Sequence, residues 1–293
     1  MATPAQWLEG ARPRTLPAAV SPVLAGTAVA VDLDQAVWWK AALALVVALA
    51  LQVAVNYAND YSDGVRGTDA DRVGPLRLVG SGVASPAAVK AAAFAAFGVA
   101  MVAGLVLALA TAWWLLLVGA VCIVAAWFYT GGSRPYGYRG LGEVMVFVFF
   151  GLVAVCGTTY VQVRSVPLAS VYAAVGVGAL ACAILVANNL RDVPTDREVG
   201  KRTLAVVLGD ARTRGFYALL VGLALVALVA VALSTAPAAL LGLAFLLPGV
   251  RATRLVLGGT RGRDLVPVLA RTGAAELLWA LGVFVGLLVA SLA

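Results

Sequence analysis

The chain has 293 residues, of which 62% are hydrophobic and only 12% charged, with a net charge of +7 and no histidine. A soluble domain carries about 25% charged residues, so this composition excludes an ordinary soluble enzyme. It predicts an all-α membrane protein, one polytopic domain over 1–293. The missing histidine also excludes His-based acid–base catalysis, haem ligation and most zinc sites.

Apolar runs of about 17–25 residues are long enough to span a bilayer. They predict nine helices, near 15–31, 38–58, 87–109, 112–130, 141–162, 167–190, 214–233, 236–257 and 270–291. The first run follows Arg12 and Arg14 and ends in Ala28-Val29-Ala30, like a secretory leader with its cleavage site. Pro13, Pro17 and Pro22 interrupt it, and the charge pattern needs it as a span, so it is expected to persist as the first helix. With a cytoplasmic N-terminus, every Lys and Arg except Lys40 and Arg164 falls on the cytoplasmic side. That is the positive-inside pattern of a multi-pass protein. The basic charge is therefore a topology signal first; the expected partner is the lipid bilayer and not nucleic acid. Cys122, Cys156 and Cys182 sit in apolar runs without ligand spacing and read as core thiols.

The second helix ends in Asn56-Tyr57-Ala58-Asn59-Asp60-Tyr61-Ser62-Asp63, and the sixth in Asn188-Asn189-Leu190-Arg191-Asp192-Val193-Pro194-Thr195-Asp196. Carboxylates at a membrane edge are costly and are usually kept for function. On a helix, residues three and four apart share a face. Each cluster therefore makes a polar stripe at a cytoplasmic helix end. Helix C-termini carry partial negative charge and repel phosphate. Mg²⁺ resolves the conflict, because it takes one or two carboxylates and fills its shell with water and phosphate oxygens. Arg66, Arg72, Arg77, Lys201 and Arg202 follow closely and are candidates for an anion clamp. The pattern points to a metal-bridged diphosphate at the membrane surface.

Other readings compete. A lone Asp-x-x-Asp at a helix end is most often a solvated cap, but two matched clusters on one side favour a site. An ion-coupled transporter also uses intramembrane carboxylates, though near the midplane and within broken helices. Asp60-x-x-Asp63-Gly64 begins like a CDP-alcohol phosphotransferase signature, which keeps all its acids in one short stretch; here the second pair lies on another helix.

Together the motifs resemble those of the UbiA superfamily of intramembrane prenyltransferases, which carry Asn-Asp-x-x-Asp after the second helix and Asp-x-x-x-Asp after the sixth. The stretches Ala11–Pro17, Gly74–Arg77, Tyr129–Gly132, Gly140–Glu143 and Asn188–Leu204, especially Gly200–Leu204, are similar to its MenA branch, the 1,4-dihydroxy-2-naphthoate polyprenyltransferases of menaquinone synthesis. The resemblance spans essentially the whole chain. It implies Mg²⁺-dependent prenyl transfer from polyprenyl diphosphate to 1,4-dihydroxy-2-naphthoate, with loss of pyrophosphate and CO₂, at the cytoplasmic face of the inner membrane. Another aromatic acceptor is the neighbouring possibility.

The same resemblance implies residue roles. Asp60, Asp63, Asp192 and Asp196 would hold Mg²⁺. Asp69 is a further ligand candidate, because Gly67 stands where many members have a third aspartate. Lys201, Arg72 and Arg77 would contact the diphosphate. Asn56, Asn59, Asn188, Asn189, Tyr129, Arg134 and Glu143 would bind substrate, and Arg14 is divided between meeting the naphthoate carboxylate and anchoring the topology. Tyr57, Tyr61, Trp127, Tyr129 and Tyr160 are candidate aromatic walls for an allylic cation. Glu276 is divided between an interhelical hydrogen bond and a functional role.

Overall fold

The computed structural model describes residues 2–67 and 76–293, and among them the regular structure is entirely helical. The helices are α1 (Pro4–Gly10), α2 (Pro17–Asp32), α3 (Trp38–Arg66), α4 (Pro86–Thr111), α5 (Leu115–Phe128), α6 (Gly142–Val163), α7 (Leu168–Glu198), α8 (Leu204–Leu208), α9 (Asp210–Ser234), α10 (Pro237–Leu257) and α11 (Val266–Ser291). By length and composition seven can cross a membrane, or eight if the segment Pro4–Thr15 and α2, bent by 49°, count as one span. The expected count of nine is not reached among the described residues. The span expected at 112–130 is the 14-residue α5, trimmed by an extended Ala112 before it and a turn at Tyr129–Thr130 after it.

Local chemistry sets the helix ends. Pro17, Pro86 and Pro237 stand at first turns, where a ring with fixed φ and no N–H costs nothing. Ser85 caps α4 by accepting from the Ala88 amide at 3.3 Å. Gly67 stops α3 in the left-handed region, φ 72, a conformation glycine adopts without steric penalty. At the position where the resemblance leads one to expect an aspartate, this chain has a helix stop.

The core is organised around α7. Of its most apolar window 72% is buried, against 28–44% in the other spans. Its inner faces are small: Ala173, Ala174, Gly176, Gly178, Ala179 and Ala183 are all buried, so neighbouring helices approach closely, as in membrane bundles generally. Gly176 shows why: an added Cβ would lie 2.4 Å from the Trp279 ring. That Trp279 donates its indole N–H to the Ala224 carbonyl at 3.0 Å, tying α11 to α9. On the outside, Val102, Leu105, Leu109, Leu117 and Val121 of α4 and α5 are exposed, apolar surface that lipid would cover.

The two ends of α3 have opposite jobs. At its start, buried Lys40 donates to the Val161 carbonyl at 2.7 Å and to Thr111 Oγ1 at 3.0 Å, knitting α3, α4 and α6 together. At its other end, roughly 35 Å away by helical rise, sits Asp63. The polar site is therefore confined to one end of the bundle.

Candidate active site

Both motif-bearing helices run past their apolar stretches, so the acids lie on helix rather than in loops. Each residue turns the helix by about 100°, so four residues return within about 40° of the start. Asn59 and Asp63 thus share one face of α3, and Asn188, Asp192 and Asp196 share one face of α7. All five line a single cavity of ≈ 230 Å³. Asn189, Arg77, Lys201 and Tyr129 line it too, as expected from the sequence.

Asp63 is buried and ringed by donors. Tyr138 Oη donates to it at 2.6 Å. Arg77 Nη2 and Lys201 Nζ approach its oxygens at 3.8 and 3.9 Å. These two are charge contacts to Asp63 rather than tight hydrogen bonds. Lys201 Nζ also lies 4.4 Å from the centre of the Tyr138 ring, a cation–π contact. The backbone bond from Arg202 N to Tyr138 O at 3.0 Å holds two loops against each other, while that from Lys201 N to Asp196 O at 2.8 Å closes the end of α7. Across the cavity, Asp192 accepts a bidentate pair from Arg191, at 2.6 and 2.7 Å, the strong fork geometry of guanidinium on carboxylate. Arg191 also donates to Asn188 Oδ1 at 2.9 Å. Thr203 reaches Asp196 at 3.5 Å.

Among the described residues no three acidic side chains converge into a ready-made cage. An all-oxygen donor set on opposite walls still fits Mg²⁺, which leaves most of its shell to water and phosphate. Asp63 on one wall, and Asp192 with Asp196 on the other, are the side chains that would hold it.

Several expected residues do something else. Asp60 is turned about 100° from Asn59, points away from the cavity and is 1% exposed. Its two oxygens accept from the amides of Leu78 at 2.7 Å and Val79 at 3.0 Å. In this structure it clamps the inner loop. Asn56 donates to Ala11 O and Thr15 Oγ1, both at 2.9 Å, anchoring the N-terminal segment, and lines the second cavity described below rather than this one. Arg66 donates to the carbonyls of Thr130 and Gly132 and lies outside the cavity wall. Arg14 is exposed; of the two it is Arg12, held in the left-handed region at φ 56, that lines the cavity. Arg134 is exposed and lies outside the cavity wall.

Glu143 is buried and accepts from Asn189 at 2.9 Å, so it positions a cavity residue without lining the cavity itself. Of the aromatic candidates only Tyr129 reaches the cavity. Tyr57 donates to Trp7 O, Tyr61 stacks on Trp127, and Tyr160 packs on Trp114. Glu276 is fully buried in α11, has no hydrogen-bond partner among the described residues and lines neither cavity. Asp69 and Arg72 lie outside the described residues. Sequence reasoning missed Arg12, Tyr138, Thr203 and Gln52 as cavity residues; none sits in an acidic motif.

A second cavity of ≈ 370 Å³ adjoins the first and is apolar, walled by residues such as Val23, Val47, Leu51, Leu107, Leu115 and Phe149. Part of its wall is the π-helical stretch Phe147–Cys156 of α6, whose wider winding lets the adjacent Phe149 and Phe150 both face it. Ala18, Gln52, Asn59, Tyr129, Val146 and Phe150 wall both cavities.

A charged chamber sharing its wall with an apolar slot, at one end of a helical membrane bundle, is the architecture of an integral membrane protein that handles an amphiphile with an anionic head. The chain belongs to the UbiA prenyltransferase family, whose model matches residues 19–267. It is 57% identical to the 1,4-dihydroxy-2-naphthoate octaprenyltransferase of Mycobacterium tuberculosis, over 97% of both chains. It is 40% identical to the protein of the same name from Escherichia coli, over 95% of this chain and 94% of that one. In fold it is similar to a UbiA homolog from Aeropyrum pernix, with a TM-score of 0.71, 16% identity and coverage of 92% and 97%. A UbiA homolog from Archaeoglobus fulgidus bound to GPP and Mg²⁺ aligns with a TM-score of 0.66 at 14% identity, over 96% of this chain and 99% of that one.

Proposed function

We propose that this protein transfers a polyprenyl group from polyprenyl diphosphate to 1,4-dihydroxy-2-naphthoate. The allylic C–O bond breaks and pyrophosphate leaves. The carboxyl-bearing ring carbon forms the new C–C bond, and CO₂ departs to give demethylmenaquinol. The observation that carries the reading is the pair of facing stripes, Asn59/Asp63 and Asn188/Asp192/Asp196, in a chamber that shares its wall with an apolar slot. A diphosphate head suits the first space and an isoprenoid chain the second.

Mg²⁺ bound to these carboxylates would neutralise the diphosphate and ease its departure. Arg77 and Lys201, already beside Asp63, supply positive charge where the leaving group gains negative charge. Tyr129 and Phe150, on the shared wall, offer ring faces to an allylic cation while excluding water. Loss of CO₂ restores aromaticity, so the histidine-free chain needs no strong base. The positive-inside pattern orients the chamber toward the cytoplasm, with the protein in the bacterial inner membrane. The acids lie at helix ends, which favours surface chemistry over a transporter's midplane site.

Membranes containing the protein are expected to release pyrophosphate from a polyprenyl diphosphate only when both Mg²⁺ and dihydroxynaphthoate are present. Release with 4-hydroxybenzoate or homogentisate instead would reassign the acceptor, and no release with any of them would overturn the reading. Tyr138→Phe keeps the ring against Lys201 but removes the 2.6 Å bond to Asp63. A lost hydrogen bond to a charged group, worth about 1.5–3 kcal/mol, predicts a fall of roughly ten- to a hundredfold in kcat/KM in the same assay.

A further inference from the structure

The wall shared by the two cavities contains one polar group with an unmet need. Gln52 is buried on α3, and its Oε1 is shielded from solvent without a hydrogen-bond partner among the described residues. The orientation of its amide follows from its neighbours. Thr15 Oγ1 donates its single proton to the Arg12 carbonyl at 2.9 Å, and in this arrangement its oxygen accepts from other groups. It accepts from Asn56 Nδ2 at 2.9 Å and from Gln52 Nε2 at 3.0 Å. Asn56 cannot flip without losing its bond to the Ala11 carbonyl. With the Gln52 NH₂ on Thr15, Oε1 is the unpartnered atom of a side chain that walls both cavities.

A buried acceptor left unpaired costs about 1–3 kcal/mol, and such a group calls for a partner, a water or a bound ligand. Resting on the function proposed above, the chemistry of the reactants narrows the partner to one. The isoprenoid chain has no donor, and an ionised diphosphate offers only acceptors, which a carbonyl oxygen repels. The ring hydroxyls of the aromatic acceptor are the donors left. The position agrees, because Gln52 stands where head and tail cavities meet, and the reacting ring must approach the allylic carbon there. We propose that Gln52 Oε1 accepts a hydrogen bond from a ring hydroxyl of the aromatic acceptor and sets acceptor specificity.

The test compares wild type and Gln52→Met, a substitution of similar length without the carbonyl. Steady-state kinetics would be run with dihydroxynaphthoate, and inhibition constants measured for naphthoates lacking one hydroxyl or the other. Gln52→Met should raise KM for dihydroxynaphthoate roughly tenfold, the scale of one neutral hydrogen bond, with KM for polyprenyl diphosphate changed by less than about twofold. Wild type should bind one monohydroxy analogue roughly tenfold more weakly than the other, and the variant should bind both equally. A variant that keeps the wild-type preference overturns the proposal while the functional reading stands. Wild type that makes no product from dihydroxynaphthoate overturns both. Should Gln52→Met fail to fold, equal binding of the two analogues by wild type would itself refute the assignment.

Discussion

Asp63→Asn is expected to abolish prenyl transfer while the protein folds and inserts as before. The substitution keeps the shape of the side chain and its ability to accept from Tyr138 at 2.6 Å. It removes the negative charge that faces Arg77 and Lys201 at 3.8 and 3.9 Å. What is lost is a hard oxygen donor for Mg²⁺ on the α3 wall. Removing one preorganised electrostatic group from a water-poor site typically costs about 10²–10³ in kcat, and loss of metal adds to it. Pyrophosphate release at saturating substrate, with the Mg²⁺ concentration varied, measures both effects. Activity within a few fold of wild type at ordinary Mg²⁺ would refute the assignment of Asp63. Asp192→Asn should be equally inactive but is a less clean probe. It leaves the buried Arg191 without its bidentate partner, and an uncompensated buried charge costs about 3–5 kcal/mol.

Much of this arrangement was legible in the sequence, for a physical reason. Hydrophobic runs the length of a bilayer have few alternatives to forming helices, and carboxylates at their ends are too costly to be incidental. That logic found α3, α7 and the two stripes. It could not find which neighbour in Asn59-Asp60 faces inward, because helical rotation relates residues to each other and only packing fixes their absolute direction. Arg12 and Arg14 show a second limit. The proline-rich turn between α1 and α2 puts Arg12 at φ 56, and this backbone state selects which arginine reaches the chamber. Arg66 shows a third: a cation beside an acidic motif looks like an anion ligand until two nearby carbonyls claim it. Tyr138 gave no signal, since its role arises from a loop folding back over α3.

Asp60 separates metal binding from loop anchoring more sharply than any other residue. Asp60→Ala leaves the amides of Leu78 and Val79 without acceptors, and Leu78 is completely buried. At about 1–3 kcal/mol for each unsatisfied group, the loss should lower the melting midpoint in detergent by several degrees. Asp60→Asn should be nearly as harmful, because its NH₂ would face a backbone N–H. Arg77 immediately precedes the clamped amides, so loosening them withdraws a cation from the diphosphate. The expected kinetic signature is therefore a raised KM for polyprenyl diphosphate, with an unchanged Mg²⁺ concentration for half-maximal activity. A direct metal ligand would give the opposite pattern, a shifted Mg²⁺ dependence with an unaltered melting midpoint. That outcome would return Asp60 to the metal site. The clamp geometry predicts instead that two adjacent residues of one motif, Asn59 and Asp60, serve different ends: one walls the chamber and the other fixes the loop that carries its cation.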